Sequence, residues 1–202
     1  PPVSTLASIP DSPPFVVRAR LLTPLSDGGT MHEPDALVVV DGDGRIAWVG
    51  PAADQPEPLA AASAIDLRPL VVMPGLIDLH VHLPQLPNAG VGAGLELLTW
   101  LERHIFPLER AWVDRTVAER LAPAAFRAFA HAGTTTILAY GAVFAASIDA
   151  AFEAAEAHGI RAILGKVMMD RATYDESIAP STILERSLRE SADLAARWHG
   201  GA

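Results

Sequence analysis

The run Pro74-Gly75-Leu76-Ile77-Asp78-Leu79-His80-Val81-His82-Leu83-Pro84-Gln85 decides how the rest of the chain is read. It closes a nearly unbroken apolar stretch from Leu70 to His82, the pattern of a parallel strand covered on both faces. Side chains two apart on a strand share a face, so His80 and His82 project together, about 6 to 7 Å apart along the chain by strand rise. Two imidazoles converging at the end of a buried strand make half of a zinc or iron site. Pro84 is expected to stop the strand and to leave Gln85 on the loop just above the pair, where barrels bind substrate. The glutamine amide carries a donor and an acceptor, which suits an amide-like or purine edge. A His-x-His pair in isolation is more often a surface or structural feature. The apolar strand leading into this one, with Pro-Gly before it, sets it apart.

Downstream the sequence alternates between helical and strand patterns. Leu97, Leu98, Leu101 and Ile105 share one face of a helix over 95–105. Trp112 to Ala132 reads as a second helical region that Pro123 should kink or split, with Gly133 at its end. Thr134 to Tyr140 is β-branched and reads as a strand. Ser147 is placed to cap a helix whose buried stripe is Ile148, Ala151, Phe152 and Ala155, ending at Gly159. Ile160 to Met169 reads as a third strand, and Thr182 with Glu185 fits a capping box for a last helix running to Gly200-Gly201. This βα alternation is that of an α/β fold. A closed eight-stranded barrel typically takes about 250 residues, so three such strands would be part of one. An open α/β sheet is the rival, disfavoured because no covering strand follows the last helix.

Upstream, Phe15–Leu22 is a candidate strand, and the runs 36–41 and 45–49 flank Gly42-Asp43-Gly44 as a hairpin. A Pro- and Ala-rich connection over 51–64 leads to a short strand at Ile65-Asp66-Leu67. So few β residues bury little surface by themselves, so this layer is expected to lean on something else. Residues 1–14, with their prolines and no basic cluster, read as a disordered tail and not a secretory signal.

Half of the 202 residues are hydrophobic and 19% charged, which is globular composition. The net charge of -9 comes with scattered Lys and Arg, so no basic patch receives nucleic acid. No run approaches the roughly 18 consecutive apolar residues that span a bilayer, so no membrane partner is expected. The absence of cysteine removes disulfides and thiolate zinc sites, and is compatible with a reducing cytoplasm. It also excludes the cytidine-type zinc deaminases, which use Cys ligands beside a His-x-Glu motif. His32, His131, His158 and His199 fall in a loop or at helix ends, and His104 reads as structural.

The Pro74–Gln85 segment resembles the first metal-binding motif of the amidohydrolase superfamily, and Gln85, three residues after the second His, is similar to the guanine deaminase family. Three further stretches resemble that family in order and spacing: Leu97 to Arg103 continuing through Phe106-Pro107-Leu108-Glu109, then Gly133 to Thr136, then Gly165 to Asp170. The Trp100 stretch and the Lys166 to Asp170 stretch narrow the match. The resemblance implies an α/β fold: a partial small β-sandwich over 15–69, then the first three βα units of an incomplete (β/α)8 TIM-type barrel over 70–202. It implies metal ligation by His80 and His82, with zinc or alternatively iron as cofactor. Gln85, His82 and Trp100 are implied to bind the substrate guanine, which water converts to xanthine with loss of ammonia.

The same resemblance implies a homodimer. Its remaining metal ligands, proton-transfer Glu and guanine-binding Arg come from later strands, so no catalytic residue is identified here. The chain alone is therefore expected to be inactive and to bind metal weakly. The alternatives are another amidohydrolase acting on a purine- or triazine-like ring, and a short non-catalytic interaction protein. Coding sequence continuing past Ala202 with His-x-x-Glu and Thr-Asp motifs would favour an amidohydrolase.

Overall fold

The computed structural model describes residues 8–55, 63–170, 174 and 179–200, and its contacts divide the chain into two units, Pro1–Pro74 and Gly75–Ala202. The first unit is a four-stranded sheet in the order β3-β2-β1-β4, formed by β1 (Phe15–Pro24), β2 (Thr30–Val40), β3 (Ile46–Pro51) and β4 (Ile65–Val72). β1 runs antiparallel to β2 and parallel to β4, and β2 pairs antiparallel with β3. Alternation along β1 buries Val17, Ala19 and Leu21, and Leu67 of β4 joins Val17 and Ala19 in a small core. On the other side of β1, the Arg18 guanidinium grips both oxygens of Asp35, at 2.7 and 2.6 Å. The hairpin expected at Gly42-Asp43-Gly44 is present, with Asp41 accepting from the backbone N–H groups of Asp43 and Arg45. Residues 8–14 carry no helix or strand, while residues 1–7 of the expected tail and 56–62 of the expected connection lie outside the described residues.

The second unit is a three-stranded parallel sheet, β5 (Leu76–His82), β6 (Thr134–Tyr140) and β7 (Arg161–Gly165), in that order. Helices cross over between the strands. α1 (Leu97–Trp100) continues through a π-helical turn, Leu101–Ile105, into α2 (Phe106–Ala111). Then come α3 (Arg115–His131), α4 (Ala145–Ala157) and α5 (Ile183–Trp198). The core lies where α3 and α4 meet the sheet. Ala118, Ala122, Ala125, Phe126 and Phe129 of α3 share it with Ile148, Ala151, Ala154 and Ala155 of α4, and with Ile137 and Ala139 of β6. Paired alanines let the two helices approach closely while the phenylalanines fill the space between them.

Several local expectations are corrected. The apolar run from Leu70 to His82 is two strands: β4 ends at Val72 in the first sheet, and β5 starts at Leu76 in the second. Nor is β5 covered on both faces, since Leu76, Ile77 and Leu79 are 48%, 63% and 69% exposed on what is an edge strand of its sheet. The third strand stops at Gly165 and not Met169. Pro123 neither splits nor ends α3, which begins after Asp114, whose carboxylate accepts from the Thr116 N–H. Loss of one helical hydrogen bond costs about 3 kcal/mol, which burial of the alanine and phenylalanine stripe around it offsets.

Two capping assignments also change. Ser147 does not cap α4, because Phe144 holds that position; its buried hydroxyl donates to the Trp112 carbonyl instead. Thr182 does precede α5, but its hydroxyl donates to the Ala179 carbonyl and caps no helix N–H.

Candidate active site

Parallel pairing puts the C-terminal ends of β5, β6 and β7 at one end of the sheet, where such folds place their chemistry. β5 stops there because Leu83 and Pro84 are buried and the backbone turns into the 3-10 segment Leu83–Asn88. His80 and His82, two apart on the strand, lie together with ring centroids 5.3 Å apart. Val81, between them, packs against the core of the unit on the other side. Tyr140, the register partner of His82, completes the group: its ring stacks on His82 at 4.7 Å and meets His80 edge-on at 5.3 Å. Among the described residues no hydrogen bond engages the ring nitrogens of either histidine, and no third His, Cys, Asp or Glu joins them in a metal-binding group. The Asp78 carboxylate accepts from the backbone N–H of His80, fixing the strand just ahead of the pair.

Gln85 lies in the 3-10 segment one turn beyond His82 and is half-buried. Its amide Nε2 donates to Glu109 Oε1 of α2 at 2.7 Å, and the other oxygen of Glu109 accepts from the Tyr174 hydroxyl at 2.8 Å. Burial, and then the hydrogen bond to Glu109, push the Tyr174 phenol above its ordinary pKa, so it remains a donor. Trp100 takes a separate position. Its indole N–H donates to the Val91 carbonyl at 2.8 Å, and its ring lies with that of His104 against Gly92. Gly92 has φ +76°, and an added Cβ would stand 2.8 Å from both rings, so only glycine fits between them. The described contacts of Trp100 do not include His80, His82 or Gln85.

Beyond Gly165 the backbone leaves β7, and Val167 N–H donates to the Ala142 carbonyl. Lys166 turns toward α5, its side chain 2% exposed and 3.4 Å from Glu190. Burial pushes its ammonium below the ordinary lysine value, while Glu190 acts the other way. The structure thus groups His80 with His82 and sets Gln85 one turn away. Tyr140, Glu109 and Tyr174 had no role in the sequence-based expectations. Strand register signals the first and hydrogen bonding across α2 the other two.

A family model for the amidohydrolase family matches residues 71–201. The chain is 39% identical over 201 residues to the probable guanine deaminase of Deinococcus radiodurans, covering 98% of this chain and 43% of that protein. Its fold matches the guanine deaminase from C. acetobutylicum, solved with guanine bound in the active site, with a TM-score of 0.78 at 25% identity, over 93% of this chain and 43% of that one. It also matches an adenosine deaminase from Xanthomonas campestris solved with bound zinc, with a TM-score of 0.66 at 26% identity, over 95% of this chain and 41% of that one. The chain thus spans less than half the length of each of these relatives. The likeness bears out the expected α/β architecture, βα units of a TIM-type barrel preceded by a β-sheet layer. A family match over most of the chain, beginning just before the strand that carries His80 and His82, leads to one conclusion: these 202 residues belong to the amidohydrolase family.

Proposed function

We propose that the protein carrying this sequence hydrolyses guanine to xanthine and ammonia, in the cytoplasm and as part of purine catabolism. The observation that carries this reading is the convergence of His80 and His82 at the end of β5, with Gln85 held one turn beyond, in a chain similar over 98% of its length to a probable guanine deaminase. The donor set suits a metal ion: two imidazoles on one strand face, their ring nitrogens without hydrogen bonds among the described residues. Nitrogen donors of this kind favour zinc, with iron as the alternative. His80 and His82 would supply two of the ligands, and a catalytic zinc normally has three from protein. When bound, such an ion supplies a nucleophile at neutral pH by lowering the pKa of water to about 7.

The chain's own residues bind and orient. Gln85 engages the purine edge through its amide, whose Nε2 is steadied by Glu109. Trp100, its N–H spent on Val91, offers only its ring face and is assigned to the pocket wall. Tyr140 backs both imidazoles. In the reaction a C–O bond forms from water to the ring carbon bearing the exocyclic amine, and the C–N bond to that amine breaks. The amine takes one proton from the water and leaves as ammonia; the other proton ends on the xanthine ring. The net charge of -9 favours this small neutral ligand over nucleic acid. Assembly as a homodimer belongs to the same proposal, and light scattering on the intact protein checks it.

Ammonia release and xanthine formation by the intact protein test the reaction. Replacing Gln85 with Ala is expected to lower kcat/KM for guanine roughly ten- to hundredfold with metal content unchanged, since a polar group of the complex is left unpaired. Unchanged kinetics would remove Gln85 from the site. Turnover of another amino-substituted ring, with none of guanine, would reassign the substrate.

A further inference from the structure

Both oxygens of the Glu109 carboxylate are engaged within the second unit, one by Gln85 and one by Tyr174. An ionised carboxylate only accepts hydrogen bonds, so the amide group it faces at position 85 must be nitrogen. That fixes the flip of the amide: one Nε2 hydrogen is committed to Glu109, while Oε1 has no hydrogen-bond partner among the described residues. A glutamine free to rotate about its last bond presents donor and acceptor in either order, because that torsion is broad and roughly two-fold. Here the order is set from behind. The holding group is itself held: Glu109 projects from α2, directly after the π-helical turn Leu101–Ile105, and the Tyr174 phenol is kept protonated and donating. The ring of Tyr174 also lies 6.0 Å from that of Phe106, at the start of the same helix.

We propose that Glu109 is a positioning residue: it clamps the Gln85 amide in one orientation, so that the carbonyl oxygen and the remaining N–H meet the ligand in fixed order. This rests on the proposal above that Gln85 contacts the purine. Clamping lowers the ordering cost of binding and sets which ring edge is complementary, without Glu109 touching the ligand itself.

The test is a double-mutant cycle in the intact protein. kcat/KM for guanine is measured for the wild type, Glu109→Ala, Gln85→Ala and the double variant, alongside metal content and thermal midpoint. Each single variant is expected to lose roughly ten- to hundredfold, and adding Glu109→Ala to Gln85→Ala is expected to cost nothing more. Glu109→Gln covers the case in which the alanine variant does not fold. It keeps the size of the side chain, but its single oxygen replaces two acceptors, so a several-fold loss is expected, again only while Gln85 is present. Losses that multiply in the double variants, or Glu109 variants that match the wild type, would overturn the positioning role. A wild-type protein inert to guanine, or a Gln85→Ala variant that matches it, would instead overturn the functional proposal, and this inference with it.

Discussion

His82 lies flat against Tyr140, its register partner on the neighbouring strand, with ring centroids 4.7 Å apart and planes 16° apart. The same phenol meets His80 edge-on at 5.3 Å. A buttress of this kind restricts both imidazoles, and aromatic pairs contribute about 0.5 to 1.5 kcal/mol beyond their buried area. Tyr140→Ala in the intact protein is therefore expected to weaken metal retention roughly two- to tenfold. Tyr140→Phe keeps the ring and is expected to match the wild type. Competition with a chelator measures both, and equal retention by the alanine variant would show that the ring is a bystander.

Gly75, just ahead of β5, lies hard against Thr135 of β6. A Cβ added at Gly75 would overlap that side chain, standing 2.7 Å from the Cβ of Thr135. Thr135 is β-branched and on a strand, so it has little rotamer freedom with which to move aside. Gly75→Ala is expected to destabilise the protein by about 1 to 3 kcal/mol, the usual cost of forcing an extra carbon into a packed contact. Urea unfolding checks this, and an unchanged midpoint would mean that β5 and β6 separate freely at that end.

Lys166 gives a pH signature. Burial holds its folded pKa below the ordinary 10.5, with Glu190 pulling the other way. Between the folded value and 10.5 the unfolded chain binds more protons, so stability rises with pH across that window. The gain is complete above 10.5 and lost as pH falls through the folded value. Lys166→Met is expected to flatten this rise. At neutral pH it should leave stability unchanged or higher, because Glu190 keeps Arg186 at 2.7 Å. Denaturant midpoints across the alkaline range measure the slope, and a loss of about 3 kcal/mol or more at neutral pH would make the buried pair a net stabiliser.

The pairing of His80 with His82 was legible in the sequence because the two-residue period of any strand places them together. Tyr140 was not, because its place depends on the register of β5 against β6, which no local pattern encodes. Glu109 is visible in the sequence only as part of a stretch resembling the family, since a single helical period cannot be carried through the π turn at Leu101–Ile105. Hydrophobicity marks Leu70–His82 as strand but not which sheet each part joins, so it does not separate β4 from β5. Ser147 looked like a cap because the competing acceptor, the Trp112 carbonyl, lies 35 residues away.

The most direct test of the metal-centre assignment is metal content and ammonia release from guanine, measured together on the intact protein before and after His82→Ala. We expect the wild type to retain zinc or iron and to release ammonia. The variant should lose both, because His80 would be left as the one imidazole on that strand face. A His82→Ala protein that keeps its metal and its guanine turnover would contradict the assignment.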